Sequence, residues 1–235
     1  MSSHPPRCAP GRARARGVRR PGRRRRLRTA LDAHALSDGM VNAAVLPALV
    51  AAGYDRTIAE VRRRPAPAVA ADPVAVPPLD EVLDVGEGWA RLRPGAAVDL
   101  GGVGKGWLAD RLAERLENAV VNLGGDLRAL GAGSGGEGWT AGLCDGSAVR
   151  VTDAGIATSG RAGRRWAGGH HLVDPRTGRP APGGPDAVSV VAATALAAEV
   201  LAKLVALRGL AEGVPLAMAR GAERVRSAIL QEPAA

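Results

Sequence analysis

VDLGGVGKGWLAD, residues 98–110, is the stretch on which the reading of this chain turns. Val98-Asp99-Leu100 reads as a short apolar strand, followed by a turn with glycines at 101, 102, 104 and 106 and with Lys105 inside it. An amphipathic helix is expected next, carrying Leu108, Leu112 and Leu116 on one face. Glycines let backbone come close to a bulky polar ligand, and a helix N-terminus offers unpaired N–H groups to an anion. Lys105 adds a point charge suited to phosphate. The reading is a phosphate-bearing ligand held between strand and helix. The alternative is a glycine-rich connector with an exposed lysine, and this stretch alone leaves both open.

Two known phosphate motifs do not account for it. A Walker A loop needs a glycine five positions before its Gly-Lys pair and a Ser or Thr after it. Here those positions are Asp99 and Gly106. A dinucleotide fingerprint needs G-x-G-x-x-G, and Gly102, Gly104 and Gly106 have the wrong spacing.

Outward from this stretch, the chain of 235 residues suits one domain with a tail. It contains no Phe, four Trp and one Tyr, so Ala and Val must build much of the core. No apolar run is long enough to span a membrane. The net charge of +9 belongs to one end. Eleven of the 32 basic residues lie in residues 1–28, which hold no acid, so residues 29–235 carry 21 basic against 23 acidic side chains. The body therefore has no general nucleic-acid footprint, and no nucleic-acid partner is expected. Cys8 and Cys144 make no metal spacing and no disulfide framework, and Cys144 reads as a small core residue.

Residues 1–28 are low-complexity, Arg-, Pro- and Gly-rich, and cannot bury a core. They read as a disordered basic tail, a binding arm, or the product of a misassigned start or frameshift. From residue 29 a globular pattern begins. Asn42 to Ala52 reads as an apolar helix ending at Gly53, residues 64–80 as an exposed Pro/Ala-rich connection, and residues 82–85 and 89–92 as two strands around a glycine turn. Ala119 to Leu123 reads as a buried strand, Trp139 to Cys144 and Ala148 to Thr152 as a hairpin, and Gly155 to Gly160 as a loop. Ala187 to Ala193 is expected to be a strand, with Thr194 capping a helix from Ala195 to Arg208 and Glu223 to Leu230 forming a final edge strand. Alternation without regular βαβ spacing favours an α+β fold.

Taken together, VDLGGVGKGWLAD, VNLGGD, ATSG, HHLVDPRTGRP and SVVAATALAAEVLAKL resemble the ApbE family, the FAD:protein FMN transferases, in order and in spacing over roughly residues 36–230. The resemblance implies an α+β core of mixed or antiparallel sheets packed with helices. It implies FAD as substrate, Mg²⁺ as cofactor, and an FMN-binding acceptor domain with a target threonine as partner. FMN would pass to the threonine hydroxyl as a phosphoester, with release of AMP. The alternative is a non-catalytic flavin-nucleotide-binding remnant.

Matched position by position, the resemblance makes Met40, Val41, Asn42, Asp99, Lys105, Thr158, Ser159 and Val173 cofactor-binding, with Asn42 where the family usually has Asp. It makes His171 and Asp174 catalytic, His171 as a general base or as the group orienting the threonine. A loop histidine bonded to nearby backbone is the plainer reading of His171. Gly102, Glu199 and Lys203 fall at metal positions, although the family's late helix usually supplies Asp and, four residues on, Thr. An ammonium cannot ligate Mg²⁺, so Lys203 either replaces the metal, held by Glu199, or forms an ordinary helical i, i+4 pair with it. The family also begins well before Leu36, so residues 29–235 are expected to form the transferase domain without its N-terminal part. The compartment reads as cytoplasmic, or as the cell envelope if the true start is missing.

Overall fold

The computed structural model describes residues 21–65 and 72–229. In chain order the elements are α1 (Pro21–Leu36), a 3₁₀ turn (Ala43–Val45), α2 (Leu46–Ala51), α3 (Ile58–Arg62), α4 (Leu79–Val82), β1 (Leu83–Gly86), β2 (Trp89–Leu92) and α5 (Gly104–Ala113). Then come β3 (Ala119–Leu123), β4 (Asp126–Leu130), β5 (Trp139–Gly142), β6 (Ala148–Val151) and β7 (Gly155–Gly160). A short 3₁₀ turn (Ala162–Arg164), β8 (Arg165–Trp166), β9 (Gly169–His170), β10 (Val173–Asp174) and β11 (Arg179–Pro180) lead to β12 (Ala187–Ala192), α6 (Ala195–Arg208), α7 (Leu210–Ala219) and β13 (Ala222–Ala228).

The centre is an antiparallel five-stranded sheet in the order β13-β12-β7-β4-β3. The β-branched run of β12 lies inside it and is buried on both faces. Val188, Val190 and Ala192 meet Ala198, Leu201, Ala202 and Val205 of α6. Val191 and Ile156 point the other way, into a cluster with Leu143, Val149 and Val151 of the β5–β6 hairpin. Thr194 caps α6 through its side chain, and Gly209 ends the helix with φ of +80°. Gly124 and Gly125, both at positive φ, close the tight β3–β4 hairpin that sets Asp126 opposite Leu123.

Several sequence expectations change. Residues 98–100 are not a strand; the Asp99 N–H donates to Ala43 O at 2.8 Å, which pins this segment to the turn after Met40. Lys105 sits in the first turn of α5 rather than in the loop before it. The leucine stripe of α5 faces outward, with Leu108, Leu112 and Leu116 42%, 45% and 43% exposed. The buried face is Gly106, Ala109 and Ala113, because α5 approaches α6 so closely that a Cβ at Gly106 would lie 2.6 Å from Ala195 O. Gly155 to Gly160 is the central strand β7 and not a loop: a Cβ at Gly155 would meet the Thr194 carbonyl carbon at 2.1 Å, so its small residues admit the start of α6. β3 is a half-buried edge strand.

Another concerns the basic segment. Residues 1–20 lie outside the described residues, but Pro21 to Arg28 already belong to α1. Leu27 and Ala30 of α1 pack with Val41, Leu79, Leu83 and Val103, Arg28 donates to Val85 O at 2.7 Å, and the Arg26 guanidinium lies 5.7 Å from the Trp107 ring centroid. Leu230, assigned by sequence to the last strand, and residues 66–71 of the Pro/Ala-rich connection also lie outside the described residues. Cys144 is only half-buried; its N–H donates to Ser189 Oγ at 2.9 Å.

Candidate functional site

A cavity of about 430 Å³ opens where the turn after α1, the 98–105 segment, the end of β7, the β9–β10 segment and α6 converge. That volume lies within the range of small-molecule sites, roughly 300–1,000 Å³. Met40, Val41, Asn42, Asp99, Gly102, Lys105, Thr158, Ser159, His171, Val173, Glu199 and Lys203 all line it.

The entrance turn is built by Ser37 and Asn42. The Ser37 hydroxyl accepts from the Val41 N–H at 2.8 Å. Asn42 accepts from the Ala44 N–H and donates to Pro77 O, both at 2.9 Å, so its amide shapes the turn. On the opposite lip, the Asp99 carboxylate accepts from the Gly101 N–H at 2.8 Å and fixes the glycine segment that leads into α5. In β7, the Thr158 hydroxyl is engaged with Ser189 Oγ at 2.7 Å. Strand alternation puts Ser159, like Ala157, on the opposite face, toward α6.

Below the glycines lie two carboxylates and two ammoniums. Glu199, 0% exposed, accepts from the Gly106 N–H at 2.9 Å through Oε2 and pairs with Lys203 Nζ at 3.0 Å through Oε1. Lys105 Nζ lies 2.6 Å from Oδ2 of the buried Asp126, a close ion pair without the alignment of a good hydrogen bond. Burial pushes the Glu199 carboxyl up, the Lys203 charge pulls it back, and the Asp126 charge adds to the rise. Gly102 completes the group: a Cβ there would lie 3.6 Å from Lys203 Cε. The three metal positions of the sequence reading are thus brought together, with an ammonium among them. Both Glu199 oxygens already have partners, and among the described residues no three His, Cys, Asp or Glu side chains group to hold a metal. A divalent ion placed about 4 Å from that ammonium would meet repulsion on the order of 8 kcal/mol at a near-surface effective dielectric. This donor set does not fit Mg²⁺.

His171 and Asp174 part company. His171 lines the cavity, and its Nδ1 is buried without a hydrogen-bond partner. Burial, then the Arg164 and Lys203 charges, hold its pKa down at about 3, so the imidazole is neutral at pH 7. Asp174 is not among the lining residues. It accepts from the Arg176 N–H at 2.9 Å and pairs with the Arg176 guanidinium at 2.7 Å, fixing the turn that follows β10. Burial raises its pKa, but the Arg176 bonds and charge win and hold it below the ordinary range. The Asp174 carboxylate is therefore committed to its own turn, outside the cavity lining.

Two residues the sequence reading passed over belong here. Asp126 was visible as the last residue of VNLGGD, but nothing in the sequence paired it with Lys105. Arg164, which lines the cavity and depresses the His171 pKa, is hidden among neighbouring arginines of no distinguishing pattern.

Known proteins share this fold. The ApbE family model matches residues 20–226. An FAD:protein FMN transferase of Klebsiella pneumoniae is 32% identical over 141 residues, covering 52% of this chain and 42% of that protein. One of Treponema pallidum is 35% identical over 136 residues, covering 46% of this chain and 37% of that protein. The chain thus spans about two fifths of the length of these relatives. Among solved structures, the flavinyl transferase ApbE of Pseudomonas stutzeri superposes with a TM-score of 0.69 at 19% identity, covering 91% of this chain and 75% of that one. The ApbE protein of Thermotoga maritima gives 0.68 at 23%, with 90% and 77% covered. At such identities the likeness shows the fold.

Proposed function

Because the chain belongs to the ApbE family, we propose that it transfers FMN from FAD to a threonine hydroxyl of a flavin-carrier protein and releases AMP. The observation that carries this reading is the cavity: every one of the five motif blocks contributes to its wall.

In this reading the FAD pyrophosphate lies against the first turn of α5, where the Lys105 and Lys203 ammoniums face its charge. The threonine oxygen attacks the FMN-side phosphorus. A P–O bond to threonine forms as the P–O bond to the AMP phosphate breaks, and AMP leaves with the bridging oxygen. The hydroxyl proton goes to the imidazole of His171, which lines the cavity and is neutral. A base with so low a pKa is weak in the empty cavity. The pyrophosphate's negative charge offsets Arg164 and Lys203 and raises that pKa as the substrate binds. The magnesium expected from the resemblance has no part in these steps, because the donor set does not fit it.

The test is AMP release, followed by chromatography, from FAD mixed with the chain and a flavin-carrier domain. AMP is expected in step with acceptor modification and absent when the target threonine is replaced by Val. His171→Ala should slow the reaction about 10²–10⁴-fold, the usual worth of a positioned proton acceptor, with FAD still bound. FAD binding without any AMP would favour the remnant instead.

A further inference from the structure

The Glu199–Lys203 pair and the Lys105–Asp126 pair meet under the glycine segment as two buried carboxylates, each holding one ammonium at the cavity wall. The carboxylates are almost fully enclosed, while the ammoniums are the more accessible members, with 15% of the Lys203 side chain and 39% of the Lys105 side chain exposed. A buried Glu tied to the backbone through Gly106 fixes its lysine in place, so little side-chain freedom remains to be lost when an anion arrives. Lys203 also packs beneath Gly102, where backbone comes close to the ligand space.

We propose that Lys203, braced by Glu199, supplies the positive charge that a divalent cation would otherwise bring to the pyrophosphate, so that this chain binds FAD without a metal. The inference rests on the functional reading above and concerns one residue of the same cavity. It needs no ion beyond the two lysines: an ammonium has three N–H donors, so Lys203, bonded twice to Glu199, keeps one to turn toward the cavity.

FAD affinity of the full chain, read from flavin fluorescence in EDTA and in millimolar Mg²⁺, tests it. The expected dissociation constants agree within about threefold, and Mn²⁺ titrated into the free chain shows no saturable site by electron paramagnetic resonance. Lys203→Met keeps the stem, removes the charge, and should weaken FAD binding in EDTA by at least about tenfold, the scale of one charge-assisted contact. Lys203→Arg, which keeps the charge, should retain metal-free binding and guards against a folding defect in the first variant. FAD binding that appears only with Mg²⁺, a stoichiometric Mn²⁺ site lost in Glu199→Gln, or unchanged affinity in folded Lys203→Met would overturn the inference and leave the transferase reading standing. Failure to bind FAD under either condition would overturn both.

Discussion

His171 shows how a single residue in this fold is set by its surroundings. Its ordinary pKa of 6.5 is driven to about 3 by burial and by the Arg164 and Lys203 charges. Between those two values the unfolded chain takes up a proton that the native imidazole refuses. The native state is therefore undermined as pH falls through that window, and the effect is absent above the unfolded pKa. The thermal midpoint of the wild type should drop more steeply between pH 7 and pH 5 than that of His171→Asn; parallel curves would show that His171 is not held neutral. Which residues line the cavity was largely legible in the sequence, because each of the ordered motif blocks contributes to its wall. The pairings were not. Asp126 and Lys105 are far apart in the chain, and only the β3–β4 hairpin and the start of α5 bring them to 2.6 Å. The resemblance makes Asp174 catalytic alongside His171, yet its carboxylate is turned to Arg176.

At the scale of elements, the position of α6 relative to α5 and β7 decides whether the cavity exists. The Asp110 carboxylate accepts from the N–H groups of Ala195 and Leu196, both at 2.9 Å, and so holds the first turn of α6 from a neighbouring helix. Asp110→Ala leaves those donors without their partner and should cost about 1–3 kcal/mol, measurable by urea unfolding. Gly155→Ala forces a methyl group into the Thr194 backbone and should cost about 3 kcal/mol. Leu112→Glu, by contrast, changes a side chain 45% exposed on the outer face of α5. It should move stability by no more than about 0.5 kcal/mol, as at most surface positions; a large loss would mean that this face is covered. The contrast explains the misread elements. Apolar periodicity reports side-chain size, so it chose the leucines of α5 over Gly106, Ala109 and Ala113. The helix packs through the small residues because they allow the closest approach. β7 was misread for the same reason: its glycines and small hydroxyl residues resemble a loop until a helix is laid against them.

For the whole molecule, the α+β class, the β1–β2 and β5–β6 hairpins, α6 and the last strand were all legible, because each carries its own local signal of alternation, capping or turn chemistry. The sheet order was not, since antiparallel pairing of β7 with both β12 and β4 joins segments of the chain that no short-range pattern connects. The basic charge of the first segment also takes a different meaning in three dimensions. From Pro21 onward it lies on a helix that packs against α4, α5 and the β1–β2 hairpin. Among the described residues no helix is long and apolar enough to cross a membrane. What this architecture delivers is one cavity walled by all five motif blocks, with two braced ammoniums on one side and a neutral histidine among its lining residues. The intact mass of a threonine-bearing flavin-carrier domain, recorded before and after incubation with the chain and FAD, tests that account at its centre. An added FMN phosphoester on the threonine, formed by the wild type and greatly slowed in His171→Ala, is the expected result. An acceptor of unchanged mass in the presence of bound FAD would contradict it.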